Sequence, residues 1–457
     1  MKKLFYLVVT LLVIALIFPL ANLVRSGNVS ADLTARVTDP NFRKLAPAYQ
    51  YKCSDCHLPG ADPPFYSGFP IAGDMMRKDV TMAIEHVDMA AEFFDGAPHF
   101  SEAVLAKTQK VIQDDSMPPF RYRALHWKSA LTEQEKKDSF TWIRQARARA
   151  NGAPNTDDPI YNEAVLPLVV PAGLNREKAA LGNRLFHDVR LSRDNTLSCA
   201  SCHDLAKGGT DQAQFSDGIN GQIGPINSPT VFNSVYALAQ FWDGRAADLN
   251  EQASGPVNNP IEMGSNWEEV LGKLKDDKEY AAAFEAIYPD GMTSGNITDA
   301  IAGFEESLVT TNSRFDHYLL GNADALTAEE RQGYDLFRSY GCATCHAGQA
   351  MGGSSFEKMG VYGDYFAGRG TEIKDADHGR YNVTKQERDR QRFKVPTLRN
   401  IALTHPYFHD GSVSDLHEAV KMMARYQTDR PMTENDAHVI RTFLLTLTGE
   451  YEGRLLK

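Results

Sequence analysis

Apolar residues are arranged along this chain in two ways. From Leu4 to Val24 they form one uncharged run, broken only by Pro19 and preceded by Lys2 and Lys3. As a helix this run is about 30 Å long, the thickness of a bilayer's hydrocarbon layer. It predicts a membrane anchor over 1–25, with the two lysines on the cytoplasmic side and the rest of the chain exported. A cleaved leader ending near Val29-Ser30-Ala31 is the alternative; the length of the run favours the anchor.

Beyond the run, apolar positions recur at helical spacing. Val104, Leu105, Thr108, Val111 and Ile112 share one face, as do Val439, Ile440, Phe443 and Leu444 after Thr433. Thr132 with Glu135, and Thr327 with Glu330, have the spacing of capping boxes. Gly- and Pro-rich stretches separate such segments, so the expected fold is mainly α.

A length of 457 residues predicts roughly three domains. The chain is 42% hydrophobic and 23% charged, with a net charge of -11. That composition supports several small cores and argues against a nucleic-acid partner, since no Lys/Arg-rich block interrupts the acidic balance.

All six cysteines fall in three copies of Cys-x-x-Cys-His: Cys53, Cys56 and His57; Cys199, Cys202 and His203; Cys342, Cys345 and His346. Two thiols at this spacing form thioethers to one porphyrin, and the adjacent histidine ligates its iron. Three disulfides would leave the histidine after every pair unexplained. Zinc sites would need two further ligands per pair. The motifs therefore predict three covalently bound haem c groups.

The first cysteines of the motifs are 146 and 143 residues apart, so each motif owns a domain-sized stretch. A Pro-rich segment from Ala150 to Pro171 reads as a linker. Gly182-x-x-Leu185-Phe186 and Gly333-x-x-Leu336-Phe337 precede the second and third motifs, which marks those two stretches as internal relatives. The expected organisation is three cytochrome c-like haem domains in tandem behind the transmembrane helix: a mono-haem domain over 26–155, a second over 156–315 and a third over 316–457.

From Leu191 to Tyr426 the sequence resembles the bacterial di-haem cytochrome c peroxidases and their MauG-type relatives. The resemblance rests on Ser198–His203, Asn227-Ser-Pro-Thr-Val-Phe-Asn233, Phe241-Trp-Asp-Gly-Arg-Ala246, Asn259-Pro-Ile-Glu-Met263, and Val395-Pro-Thr-Leu-Arg-Asn400 leading to Pro406-Tyr-Phe-His-Asp-Gly411. With the N-terminal motif and Met117-Pro-Pro-Phe-Arg-Tyr-Arg-Ala-Leu-His-Trp127, the whole chain resembles the tri-haem quinol peroxidases of the bacterial cytoplasmic membrane.

The resemblance implies that hydrogen peroxide is reduced at the haem on His203. Glu262 would be the acid/base, Gln252 the polar neighbour and Trp242 the electron bridge. Many relatives close this iron with a histidine about sixteen residues after the motif; here that region reads Asp217-Gly-Ile219-Asn-Gly221, and no histidine occurs between His203 and His317. The expectation is an open iron that needs no reductive activation. Met423 takes the position of the sixth ligand to the His346 haem, with Met422 adjacent. A methionine there, where MauG has a tyrosine, argues against MauG activity. Asn227, Thr404 and Pro406 match a calcium site between the two peroxidase domains.

For the first haem, Met117 is the expected distal ligand, with Met75, Met76, His86 and His99 competing. His126 and Trp127 read as packing residues. The implied donor is membrane quinol, and the implied location is the bacterial inner membrane with catalytic domains in the periplasm. A soluble cytochrome c or cupredoxin donor, and a multi-haem electron conduit without peroxide turnover, are the alternatives.

Overall fold

The computed structural model describes residues 2–3, 5–6, 16–17, 19–22, 32–61, 64–96 and 99–457. The expected membrane helix lies largely outside the described residues. Among these, no helix is long and apolar enough to cross a membrane.

The chain divides into two compact units, Met1–Ala164 and Val165–Lys457. In the first, α1 (Phe42–His57), α2 (Pro70–His86), α3 (Glu102–Gln113), α4 (Phe120–Leu125) and α5 (Glu133–Ala150) follow one another. The capping box of Thr132 and Glu135 starts α5. The core is aromatic: Phe42 is wholly buried and its ring centroid lies 4.7 Å from that of Trp142. Burying one such side chain stabilises by about 1.5–3 kcal/mol. On α3 the expected apolar face is inside, with Val104, Leu105, Thr108 and Ile112 buried.

The Pro-rich segment after Ala150 is not a loose linker. Asp157 pairs with Arg144 at 2.9 Å, and the buried Arg147 donates to the Tyr161 carbonyl at 2.8 Å, which folds 157–162 back on α5. Val165, Leu166 and Leu168 are then buried in the second unit, so the boundary falls at Ala164/Val165 rather than after 155. Charged groups on α5 decide this, and the prolines alone do not reveal it.

The second unit contains α6 (Arg176–Phe186), α7 (Leu249–Asn258), α8 (Ser294–Ser307), α9 (Ala328–Ser339), α10 (Leu416–Gln427) and α11 (Glu434–Leu444), with shorter helices between them. Its strands are short: Phe356–Lys358 pairs antiparallel with Arg392–Lys394, and Glu450–Tyr451 with Arg454–Leu455. Two apolar cores organise it. One gathers Leu185, Phe186, Val257, Phe284, Ile301 and Phe304 beside Cys199; the other gathers Phe315, Tyr334, Phe337, Ile440 and Phe443 beside Cys342. No further compact unit separates them.

Each core is closed by one tight helix crossing. A Cβ on Gly182 of α6 would lie 1.8 Å from the Ala300 carbonyl oxygen of α8, and one on Gly333 of α9 would lie 2.3 Å from the Val439 carbonyl oxygen of α11. Only glycine permits this approach, because the obstacle is backbone that cannot swing away. The shared Gly-x-x-Leu-Phe pattern is thus the same packing device used twice.

Candidate functional site

The three motifs are built alike around their histidines. Nδ1 of His57 meets the Val87 carbonyl at 3.0 Å, Nδ1 of His203 that of Gly209 at 3.3 Å, and Nδ1 of His346 that of Met351 at 3.3 Å. With Nδ1 donating to a carbonyl, Nε2 keeps its lone pair for a metal, and the ring's orientation is held. Burial lowers the pKa of each imidazole, to about 4 for His346, which favours the neutral ring that a metal requires. The six cysteines are unbridged and half-buried. This donor set fits c-type haem three times over.

The second and third motifs share more than this. Pro229-Thr-Val-Phe-Asn233 and Pro396-Thr-Leu-Arg-Asn400 adopt the same turn, in which Thr230 and Thr397 donate to the carbonyls of Gly208 and Ala350 at 2.7 and 2.6 Å. Asn233 and Asn400 are both left-handed, with φ of 63° and 61°, and their side-chain amides both reach Thr310 Oγ1 at 2.9 Å. Seven residues on, Gln240–Ala246 and Tyr407–Val413 close matching hairpins, with Phe241 and Phe408 at positive φ. Asp248 and Asp415 then cap α7 and α10 by accepting from the Glu251 and Glu418 amides. From the P-T-x-x-N turn onward, each of these elements in the later half stands 167 positions after its counterpart.

This register pairs Trp242 with His409, and the two meet. Their ring centroids are 6.4 Å apart, and the exchange of backbone bonds is reciprocal: Asn227 N–H donates to the His409 carbonyl, and Lys394 N–H donates to the Trp242 carbonyl, each at 2.8 Å. Trp242 Nε1 also donates to the Asn227 carbonyl at 2.8 Å. His409 is buried, and its Nε2 lies 2.7 Å from Asp377 Oδ1. Burial opposes ionisation of Asp377, yet Arg369 and His409 hold its carboxyl well below the usual range. The P-T-x-x-N and F-x-D-G repeats at one fixed offset are the sequence signal that would have revealed this seam and His409 with it.

Trp242, Met422 and Met423 border one apolar cluster of Met359, Tyr365, Phe366, Phe393 and Tyr426. Met422 also packs against the core beside Cys342. In the shared register Met423 of α10 corresponds to Pro256 of α7, which offers no ligating atom.

Glu262 is half-buried, and Asn259 Nδ2 donates to its Oε1 at 2.8 Å. Burial raises its pKa, countered only in part by the Arg245 charge and the Asn259 hydrogen bond. Its charge is felt at the Cys202 thiol. The segment after the second motif, where relatives place a histidine, is a tight turn stitched to this loop: Ile219 N–H donates to the Glu262 carbonyl at 2.7 Å and Gln222 Nε2 to the Pro260 carbonyl at 2.9 Å. A Cβ on Gly218 would fall 1.8 Å from the Ile261 carbonyl oxygen, which explains the glycine. Gln252 is half-buried on α7, and its side-chain amide has no hydrogen-bond partner among the described residues.

For the expected calcium ligands, Asn227 Nδ2 donates to the Ala213 and Gln214 carbonyls at 3.0 and 3.3 Å, which leaves Oδ1 as the outward donor. The Asn227–His409 backbone bond and the Gln212 Nε2 bond to the Leu403 carbonyl at 3.0 Å hold this segment against the loop carrying Thr404 and Pro406. Oxygen donors of this kind fit a hard cation.

Glu305 is a residue that the sequence did not single out. It is 4% exposed, its Oε2 has no partner among the described residues, and burial pushes its pKa up to about 8. In the first unit, Met117 is 44% exposed on the loop before α4; Met75 is 46% exposed, Met76 is buried, His86 is half-buried and His99 is exposed. Trp127 is 52% exposed, so it is not the packing residue that its sequence context implied.

A mainly helical fold with Cys-x-x-Cys-His motifs that fit haem defines a c-type haem protein. Residues 176–324 match the di-haem cytochrome c peroxidase profile, and residues 10–145 match a haem-binding domain. The chain is 44% identical over 425 residues to the cytochrome c peroxidase Ccp of Escherichia coli, covering 92% of this chain and 90% of that protein. It is 48% identical over 290 residues to the cytochrome c551 peroxidase of Nitrosomonas europaea, covering 63% of this chain and 85% of that one. A MauG-like protein associated with microbial copper homeostasis superposes with a TM-score of 0.55 at 30% identity, over 65% of this chain and 96% of that chain. The chain therefore belongs to the di-haem cytochrome c peroxidase and MauG family, and it is a haem-dependent peroxidase.

Proposed function

We propose that this chain is a membrane-anchored, periplasm-facing peroxidase with three c-type haems that reduces hydrogen peroxide to water using electrons from quinol. The observation that carries the reading is Glu262, a half-buried carboxyl of raised pKa on the Cys202 side, beside a turn that offers no ligating side chain. A carboxyl tuned toward neutrality both accepts and returns a proton, which splitting an O–O bond heterolytically requires.

Bound at Cys199, Cys202 and His203, a c-type haem supplies the iron at which peroxide exchanges electrons. Glu262 takes the proton from one peroxide oxygen and returns it to the other, so that this oxygen leaves as water. Gln252 offers its unpartnered amide to the peroxide. Two electrons and two protons convert each H2O2 into two waters.

Trp242 would bridge electron flow from the His346 side; its indole and Met423 border one apolar cluster, which supports this reading. Met423 is the proposed thioether ligand there and Met117 the one for His57. Calcium held by Asn227 Oδ1 and the carbonyls of Thr404 and Pro406 would brace the seam between the two halves.

Quinol is proposed as the donor because the apolar run from Leu4 to Val24 would tether the first unit beside a lipid-soluble reductant and raise its effective concentration. Steady-state peroxide reduction by the full-length protein, with a short-chain quinol or with reduced soluble cytochrome c as sole donor, tests both parts. Turnover on quinol is expected. Turnover on cytochrome c alone would overturn the donor, and turnover on neither would overturn the peroxide chemistry.

A further inference from the structure

The first unit holds a polar cluster that the peroxide chemistry does not use. Tyr66 OH lies 2.8 Å from His126 Nε2, and Asn22 Nδ2 lies 3.4 Å from the same nitrogen. An amide nitrogen can only donate, so Nε2 is the acceptor and the imidazole is a base. Burial lowers the His126 pKa, opposed by the charge of Asp55. The Tyr122 ring stacks flat on His126 at 3.9 Å, and its hydroxyl donates to Asp55 at 2.6 Å. Asp55 stands inside the first Cys-x-x-Cys-His motif, beside Cys56, so the cluster borders the haem attachment.

Two further observations point to what this cluster receives. Phe65 (41% exposed), Phe69 (50%), Ile71 (79%), Phe120 (80%) and Trp127 (52%) come from the two segments that the Tyr66–His126 contact brings together. Large apolar side chains exposed together in this way mark an interaction site. Asn22 also donates to the Leu125 carbonyl at 2.8 Å, which places Asn22 against this same corner.

We propose that this corner is a quinol-oxidation site, in which a membrane p-quinol lays its ring on the exposed aromatic face and donates one hydroxyl to His126 Nε2 in exchange for the Tyr66 and Asn22 contacts to that nitrogen. This rests on the quinol reading above and assigns its residues. In the reaction both quinol O–H bonds break and both C–O bonds become carbonyls. Two electrons leave one at a time to the ferric c-type haem of Cys53, Cys56 and His57, with peroxide as the terminal oxidant. The first proton passes to His126 Nε2, which releases it to solvent; the second leaves the opposite hydroxyl directly to solvent. Tyr66 and Tyr122 position the imidazole; they do not exchange electrons.

The test uses full-length holoprotein in detergent with decylubiquinol as the probe. For each variant, the quinol-driven peroxide rate is divided by the rate with a soluble dye donor, and binding of oxidised decylubiquinone is measured by calorimetry. His126→Gln should lower the rate ratio about 100-fold through kcat, the scale of a lost general base. Phe120→Ser and Trp127→Ala should instead raise KM and weaken quinone binding about tenfold, the share of one apolar contact.

Should His126→Gln lose haem, as read from its absorption spectrum, the surface variant Phe120→Ser decides. Unchanged ratio and binding in a wild type that does oxidise quinol would overturn this site alone. A wild type that oxidises no quinol would overturn the donor reading, and the site with it.

Discussion

The two halves of the second unit use one scaffold and differ in what they hold above it. Both close a helix crossing on a glycine, both back the haem histidine with a carbonyl, and both follow with a P-T-x-x-N turn and an F-x-D-G hairpin. Yet α7 carries Pro256 where α10 carries Met423, and the half on His203 adds the Glu262 loop. Five residues past the crossing, α8 buries Glu305 where α11 buries Leu444, each 4% exposed. The scaffold is therefore shared, and the halves differ in the few side chains that it carries.

The largest effect should come from the shared device. Gly182→Val and Gly333→Val each drive a side chain into backbone and should cost about 3–5 kcal/mol or prevent folding. Thermal unfolding and the yield of haem-loaded protein would measure it. If only one crossing is sensitive, the halves are not equivalent scaffolds.

Next comes the feature that separates the halves. Glu262→Gln should lower peroxide turnover about 100-fold or more while the bound haem remains reducible by dithionite, since the amide cannot shuttle a proton. Stopped-flow peroxide decay and a reduced-minus-oxidised spectrum check the two parts.

Smaller is the effect of copying one half into the other. The Glu305 carboxyl, with an ordinary value of 4.5, is pushed up to about 8 by burial. Between those values the folded protein holds a proton that the unfolded chain has released, so stability declines as pH rises from 4.5 towards 8. Glu305→Leu should remove a decline on the order of 3 kcal/mol between pH 5 and 8. Denaturant titrations at both values test this.

The smallest expected change separates two neighbours. Met423→Leu should let cyanide bind the ferric haem on His346 and slow turnover about tenfold. Met422→Leu should leave cyanide binding at that haem as in wild type. The reverse result would assign the thioether to Met422.

Much of this was legible along the chain. Covalent haem attachment is written in adjacent residues, because two thiols and an imidazole must meet one porphyrin edge. Helical class was legible from spacing, and both capping boxes form where their Thr and Glu stand. The Gly-x-x-Leu-Phe pair marked the duplication, though its cause, a backbone contact across two helices, lay in residues over 100 positions away.

What the sequence determined by itself was therefore local: the three haem motifs, the helices and the order of the family's motifs. Only the tertiary structure decided which distant groups meet. Trp242 reaches His409, Tyr66 reaches His126, and Glu305 is sealed from water because helix crossings fold separate segments onto one another. Proximity and desolvation turn ordinary side chains into bases, bridges and neutral acids, and neither is a property of a residue's own neighbours in the chain.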